Sequence, residues 1–163
     1  MIDELDSLAS ELGRRLQAAG LTLTAAESCT GGWVAKCVTD IAGSSGWFDR
    51  GFVTYSNGAK QDMLGVAPQT LAEHGAVSTA VAREMALGAL ARSAAQVAVA
   101  VSGIAGPGGG SVEKPVGTVC FAWANGRRIE TAVEHFPGDR EAVRRQSVVR
   151  ALGQLIAMLP DVR

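Results

Sequence analysis

The chain has 163 residues, 47% of them hydrophobic, which suits one domain with a real core and leaves little room for a second. Only 19% are charged and the formal net charge is -1, with both signs scattered, so the chain offers no basic face to nucleic acid and no polybasic anchor to a membrane. No apolar run approaches the roughly 20 residues of a membrane span, and the acidic start Met1-Ile2-Asp3-Glu4 lacks the layout of a signal peptide.

Taken in chain order, helices and strands alternate. Leu5, Leu8, Leu12 and Leu16 recur near a 3.6 period and predict a helix over Ile2 to Ala19, stopped at Gly20. Leu21 to Ala26 is a short strand. A helix follows Thr30-Gly31-Gly32, with Val34, Cys37, Val38 and Ile41 on one face and Gly43 at its end. Phe48 to Tyr55 alternates as a strand does, Gly58 to Gly65 makes a short helix, and Pro68 opens another that runs towards Gly75. Ser78 is an N-cap for a helix to about Ser93. Val97 to Ser102, all β-branched residues and alanine up to its last position, reads as a strand covered on both faces. Val116 to Trp123 and Arg128 to Phe136 form a hairpin turning at Asn125-Gly126, and Gly138-Asp139 leads into a last helix ending near Leu159. The expectation is a single α/β domain over residues 1–163, an α/β/α sandwich with a mixed sheet.

Three cysteines, Cys29, Cys37 and Cys120, form no CxxC pair and read as reduced thiols of a cytoplasmic protein. His74 and His135 lie far apart, so no metal site and no cofactor is expected.

Four stretches can carry chemistry. Glu27-Ser28-Cys29-Thr30-Gly31-Gly32 joins the first strand to the second helix, where open α/β sheets place ligands. A hydroxyl there is either a nucleophile with an oxyanion held by the following N–H groups, or a helix cap. Tyr55-Ser56-Asn57-Gly58-Ala59-Lys60 holds the only tyrosine and one of just three lysines against twelve arginines; lysine can give up its proton where arginine cannot, although a lone lysine is also an ordinary surface charge. The run Gly103-Ile104-Ala105-Gly106-Pro107-Gly108-Gly109-Gly110-Ser111 after Ser102 suits a backbone nest for an anion or a plain connection. It is no Walker loop, because no Lys-Ser or Lys-Thr follows. Projected at about 100° per residue, Arg145 of the last helix falls in line with Val149, Leu152 and Ile156, so it needs either a carboxylate such as Glu141 or a ligand phosphate.

Thr24-Ala25-Ala26-Glu27-Ser28-Cys29-Thr30-Gly31-Gly32, Gly51-Phe52-Val53-Thr54-Tyr55-Ser56-Asn57, Gly75-Ala76-Val77-Ser78, and Ser102-Gly103-Ile104-Ala105-Gly106-Pro107 with Lys114-Pro115-Val116-Gly117-Thr118 closely resemble the CinA C-terminal domain family. The resemblance covers nearly the whole chain. It implies hydrolysis of nicotinamide mononucleotide to nicotinate mononucleotide and ammonia in pyridine-nucleotide recycling, by a metal-independent Ser–Lys mechanism in a homo-oligomer. Ser28 matches the family's nucleophile, Lys60 its base, and Tyr55 and Ser102 two supporting hydroxyls, Ser102 standing where many relatives have threonine. Longer relatives carry an extra N-terminal domain linked to ADP-ribose pyrophosphatase activity, which is not expected here.

The residues and the resemblance together predict a small-molecule nucleotide substrate. Ser28 attacks the carboxamide and Lys60 takes its proton, directly or through Tyr55 or Ser102. The N–H groups of Cys29, Thr30 and Gly31 hold the oxyanion, while Gly103, Gly106, Gly108 and Arg145 bind the nucleotide. Two rivals remain: a thiol amidohydrolase using Cys29, and a non-enzymatic nucleotide-binding module.

Overall fold

A computed structural model describes residues 1–161. In chain order the elements are α1 (Glu4–Ala19), β1 (Leu23–Glu27), α2 (Trp33–Thr39), β2 (Phe48–Val53), α3 (Asn57–Leu64), α4 (Pro68–His74), α5 (Thr79–Ala91), β3 (Val97–Gly103), β4 (Thr118–Asn125), β5 (Arg128–His135) and α6 (Arg140–Ala157). They make the expected single α/β/α domain. The sheet order is β2-β1-β3-β4-β5, with β1 parallel to both β2 and β3, and β4 antiparallel to β3 and β5.

Period-2 alternation builds two unequal faces. Val97, Val99 and Val101 of β3 and Val119, Phe121 and Trp123 of β4 enter the larger core, which α1, α2 and α6 close with Leu12, Leu16, Val34, Val148, Leu152 and Leu155. Each such fully buried side chain contributes about 1.5–3 kcal/mol. Trp123 stacks on Phe121 with ring centroids 5.2 Å apart, and its indole N–H donates to the Ala151 carbonyl at 3.1 Å. The opposite face presents Ala98, Ala100, Ala122 and Ala124, and these small side chains let α5 lie close with Val81, Met85 and Ala89. Gly88 of α5 sits so near α3 that a Cβ there would stand 2.0 Å from the Leu64 carbonyl oxygen.

Local signals hold at most boundaries. Ser56, Ser78 and Asp139 cap α3, α5 and α6 by accepting from the N–H groups of Ala59, Val81 and Ala142. Gly20 ends α1 in the left-handed region at φ 68°. Other boundaries move: α1 opens at Glu4 rather than Ile2, β1 at Leu23 rather than Leu21, and β2 closes at Val53 rather than Tyr55. The second helix stops at Thr39, and a separate 3-10 turn over Ser44–Gly46 carries the chain on into β2. The fourth strand starts at Thr118, because Pro115 to Thr118 closes a turn in which the Thr118 N–H donates to the Pro115 carbonyl and Gly117 takes φ 95°. Among the described residues, no helix is long and apolar enough to cross a membrane.

Candidate active site

The carboxyl ends of β1, β2 and β3 lie side by side because the three strands are parallel. The Ser28 N–H extends the ladder by donating to the Val101 carbonyl at 2.9 Å, and the Thr54 N–H donates to the Glu27 carbonyl at 2.8 Å. Ser28 therefore emerges between two neighbouring strand ends. From β2 the chain turns at Ser56 into α3 and runs back, bringing Lys60 over the end of β1. Its Nζ lies 3.0 Å from Ser28 Oγ and donates to the Thr54 carbonyl at 3.0 Å. Lys60 is only 2% exposed, and this burial pulls its pKa below the ordinary lysine value.

Ser28, Lys60, Tyr55, Ser102, Cys29, Gly103, Gly106 and Gly108 all line one cavity of about 290 Å3. The hydroxyls differ in their engagement. Ser102 is buried and donates to the Ala76 carbonyl at 2.7 Å. Tyr55 is 62% exposed, and its hydroxyl accepts from Arg140 Nη2 at 3.0 Å rather than meeting Ser28 or Lys60. Cys29 is buried, and desolvation pushes its thiol up to about 12, so at neutral pH it is a protonated thiol and a poor nucleophile.

Neither Ser28 nor Thr30 caps α2. The N-cap is Gly32, at φ 101°, which has no side chain to offer. The donors of the first turn go instead to the buried Glu27 carboxylate, which accepts from the N–H groups of Val34 (2.8 Å) and Ala35 (3.1 Å) and from the Thr30 hydroxyl (2.7 Å). The protein's own anion thus takes the Val34 and Ala35 donors of a helix N-terminus that the sequence pattern leaves open to a ligand or a side-chain cap. Of the three N–H groups expected to hold an oxyanion, that of Gly31 is committed to the Ser28 carbonyl at 3.0 Å.

Arg145 stands apart from this cavity. Its guanidinium pairs with Asp3 ahead of α1, and it borders a separate groove with Glu4, Phe136 and Val149. The buried face of α6 is Val143, Ser147, Val148, Ala151, Leu152 and Leu155, so the arginine above that face is Arg144, one residue and about 100° away. The carboxylate Arg145 needed is supplied by Asp3, not by Glu141. Arg144 reaches the turn after Ser28, donating from Nε to the Cys29 carbonyl (3.0 Å) and from Nη2 to the Thr30 carbonyl (3.1 Å), with its guanidinium 5.4 Å over the Trp33 ring. Arg140 donates to the Gly106 carbonyl at 2.7 Å and lines two cavities. One is the cavity of Ser28. The other, of about 660 Å3, is bordered by Thr30, Gly31, Trp33, Lys36, Arg140 and Arg144. The sequence pattern singles out none of Glu27, Arg140 or Arg144 as a site residue; the adjacency of Glu27 to Ser28 and the arginine cluster beside Asp139 are the available signals. Among the described residues, no group of three His, Cys, Asp or Glu side chains is placed to hold a metal ion.

A buried amine facing a serine at the strand ends of an α/β/α sandwich defines a domain equipped for acyl chemistry. Over residues 5–159 the sequence matches the CinA C-terminal domain, and the chain belongs to that family. It is 61% identical over 153 residues to the nicotinamide-nucleotide amidohydrolase PncC of Escherichia coli (strain K12), covering 93% of each chain. The protein of the same name from Pseudomonas putida is 50% identical over 157 residues, covering 96% of this chain and 98% of the relative. Among solved structures, the competence/damage inducible protein CihA from Agrobacterium tumefaciens superposes with a TM-score of 0.93 at 48% identity, over 97% of both chains.

Proposed function

We propose that the protein is an amidohydrolase that converts nicotinamide mononucleotide to nicotinate mononucleotide and ammonia, with Ser28 as nucleophile and Lys60 as general base. The observation that carries this reading is the pair itself: a buried lysine with a lowered pKa, its Nζ 3.0 Å from the hydroxyl of a strand-end serine. The names of the relatives supply the substrate.

Neutral Lys60 accepts the Ser28 proton as Oγ bonds to the carboxamide carbon. Of the turn's N–H groups, that of Cys29, whose residue lines the Ser28 cavity, holds the resulting oxyanion. The C–N bond then breaks, and Lys60 gives its proton to the nitrogen, which leaves as ammonia. Water attacks the nicotinoyl ester, yielding its proton to Lys60; the ester C–O bond breaks, and the proton returns to Ser28. The Thr54 carbonyl keeps Nζ aimed throughout. Because Arg140 borders both cavities, a nucleotide with its amide at Ser28 can set its 5′-phosphate against Arg140 and the Gly106–Gly109 loop. Arg145 has no part in this. The Cys29 alternative is disfavoured by the raised thiol pKa, and the binding-module alternative by Ser28 not serving as a cap. The reading includes a homo-oligomer working in the cytoplasm, in pyridine-nucleotide recycling.

Ammonia release from nicotinamide mononucleotide tests it. Turnover by the wild type and its loss in a folded Ser28→Ala protein are expected. No release from the mononucleotide, or full activity in Ser28→Ala, would overturn the proposal.

A further inference from the structure

Among the described residues, Glu27 is the one acidic side chain that is buried, at 1% exposure. Burying a carboxylate is costly unless its oxygens are satisfied. Here the Thr30 hydroxyl and the Val34 and Ala35 N–H groups satisfy them, at 2.7, 2.8 and 3.1 Å. A side chain at the N-cap is the ordinary way to serve such helix donors. Glu27 does it instead from the end of the preceding strand, reaching across the turn that carries Ser28. Its main chain does a second job, since its carbonyl accepts the N–H of Thr54, the residue whose own carbonyl anchors Lys60 Nζ. One residue therefore links the backbone that aims the amine to the turn that aims the hydroxyl. The step described above gives its carboxylate no proton to carry.

We propose that Glu27 is a positioning residue: its carboxylate sets the backbone of residues 28–32 so that Ser28 Oγ stays within reach of Lys60 Nζ. This rests on Ser28 being the nucleophile. Arg144 holds the same turn from the outer side through the Cys29 and Thr30 carbonyls, so loss of the inner tie leaves the turn pulled from one side only.

The test is the rate at which a small fluorophosphonate modifies Ser28, located by peptide mass, alongside kcat and KM for ammonia release. In Glu27→Gln the amide nitrogen cannot accept, so one donor loses its partner while side-chain shape is kept. Labelling and kcat are expected to fall together by about 10- to 100-fold, with KM within about twofold of wild type, as for a misplaced nucleophile. The pH at which the rate rises should not move, because burial sets the Lys60 pKa. Glu27→Asp keeps the charge and withdraws it by one methylene; it should also be slow, and it carries the test if the glutamine protein fails to fold. Labelling and kcat per labelled serine near wild-type values, with only the melting temperature lowered, would overturn the inference and leave Glu27 a structural residue. Wild-type turnover without modification of Ser28 would instead overturn the nucleophile assignment, and this inference with it.

Discussion

Replacing Lys60 by arginine separates a proton acceptor from a positive charge. Guanidinium stays protonated at any workable pH, so Lys60→Arg keeps the cation and removes the base. Nζ already stands 3.0 Å from Ser28 Oγ, which is hydrogen-bond reach, so the full benefit of general-base assistance is at stake. That benefit is about 10²–10⁴ in rate, or about 3–5 kcal/mol of barrier. Lys60→Arg and Lys60→Ala are expected to lose turnover to similar depth. Ammonia release followed from neutral to alkaline pH supplies the second half of the assay. Burial lowers the Lys60 pKa, so the wild-type rate should be small where the amine is protonated and rise through one ionisation below the ordinary lysine value of about 10.4. The same shift has a sign for stability. The unfolded chain holds this proton more tightly than the folded one, so stability from this group is missing at low pH and returns as pH climbs from the lowered value towards the unfolded one. Near-normal turnover in folded Lys60→Arg would refute the reasoning.

Cys29→Ala should retain most activity and thiol alkylation should inhibit weakly, because the proposed mechanism uses only the Cys29 N–H and its buried thiol stays protonated; loss of turnover in a folded protein would return the nucleophile role to it. Arg140→Ala should raise KM for nicotinamide mononucleotide far more than for the riboside, whereas Arg145→Ala should leave that preference intact and, because its pair with Asp3 is solvent-screened, barely move the denaturant midpoint. Gly88→Ala should force α3 and α5 apart and destabilise by about 1–3 kcal/mol or more, seen as a melting temperature lower by about 2–4 °C for each kcal/mol.

What the sequence determined by itself is local. Helix periodicity from Leu5 to Leu16, the cap at Ser78, the Asn125-Gly126 turn and the valine–alanine alternation of β3 each act over a few residues, so each was legible in place. So was Ser28, since a hydroxyl between a strand and a helix needs no distant partner to be noticed. The tertiary structure decided who meets whom. Lys60 is 32 residues from Ser28, and only the parallel pairing of β1 with β2, followed by the reversal into α3, places them in contact and buries the amine. It also settled the arginines. A helical projection puts Arg145 in the apolar stripe; packing of α6 instead turns Arg144, about 100° away, towards the turn after Ser28 and leaves Arg145 to Asp3. Glu27 reads the same way: its neighbours in sequence announce a ligand site at the start of α2, yet that position is filled by the chain itself, because the strand end and the helix N-terminus are brought within one side chain's length only by the fold.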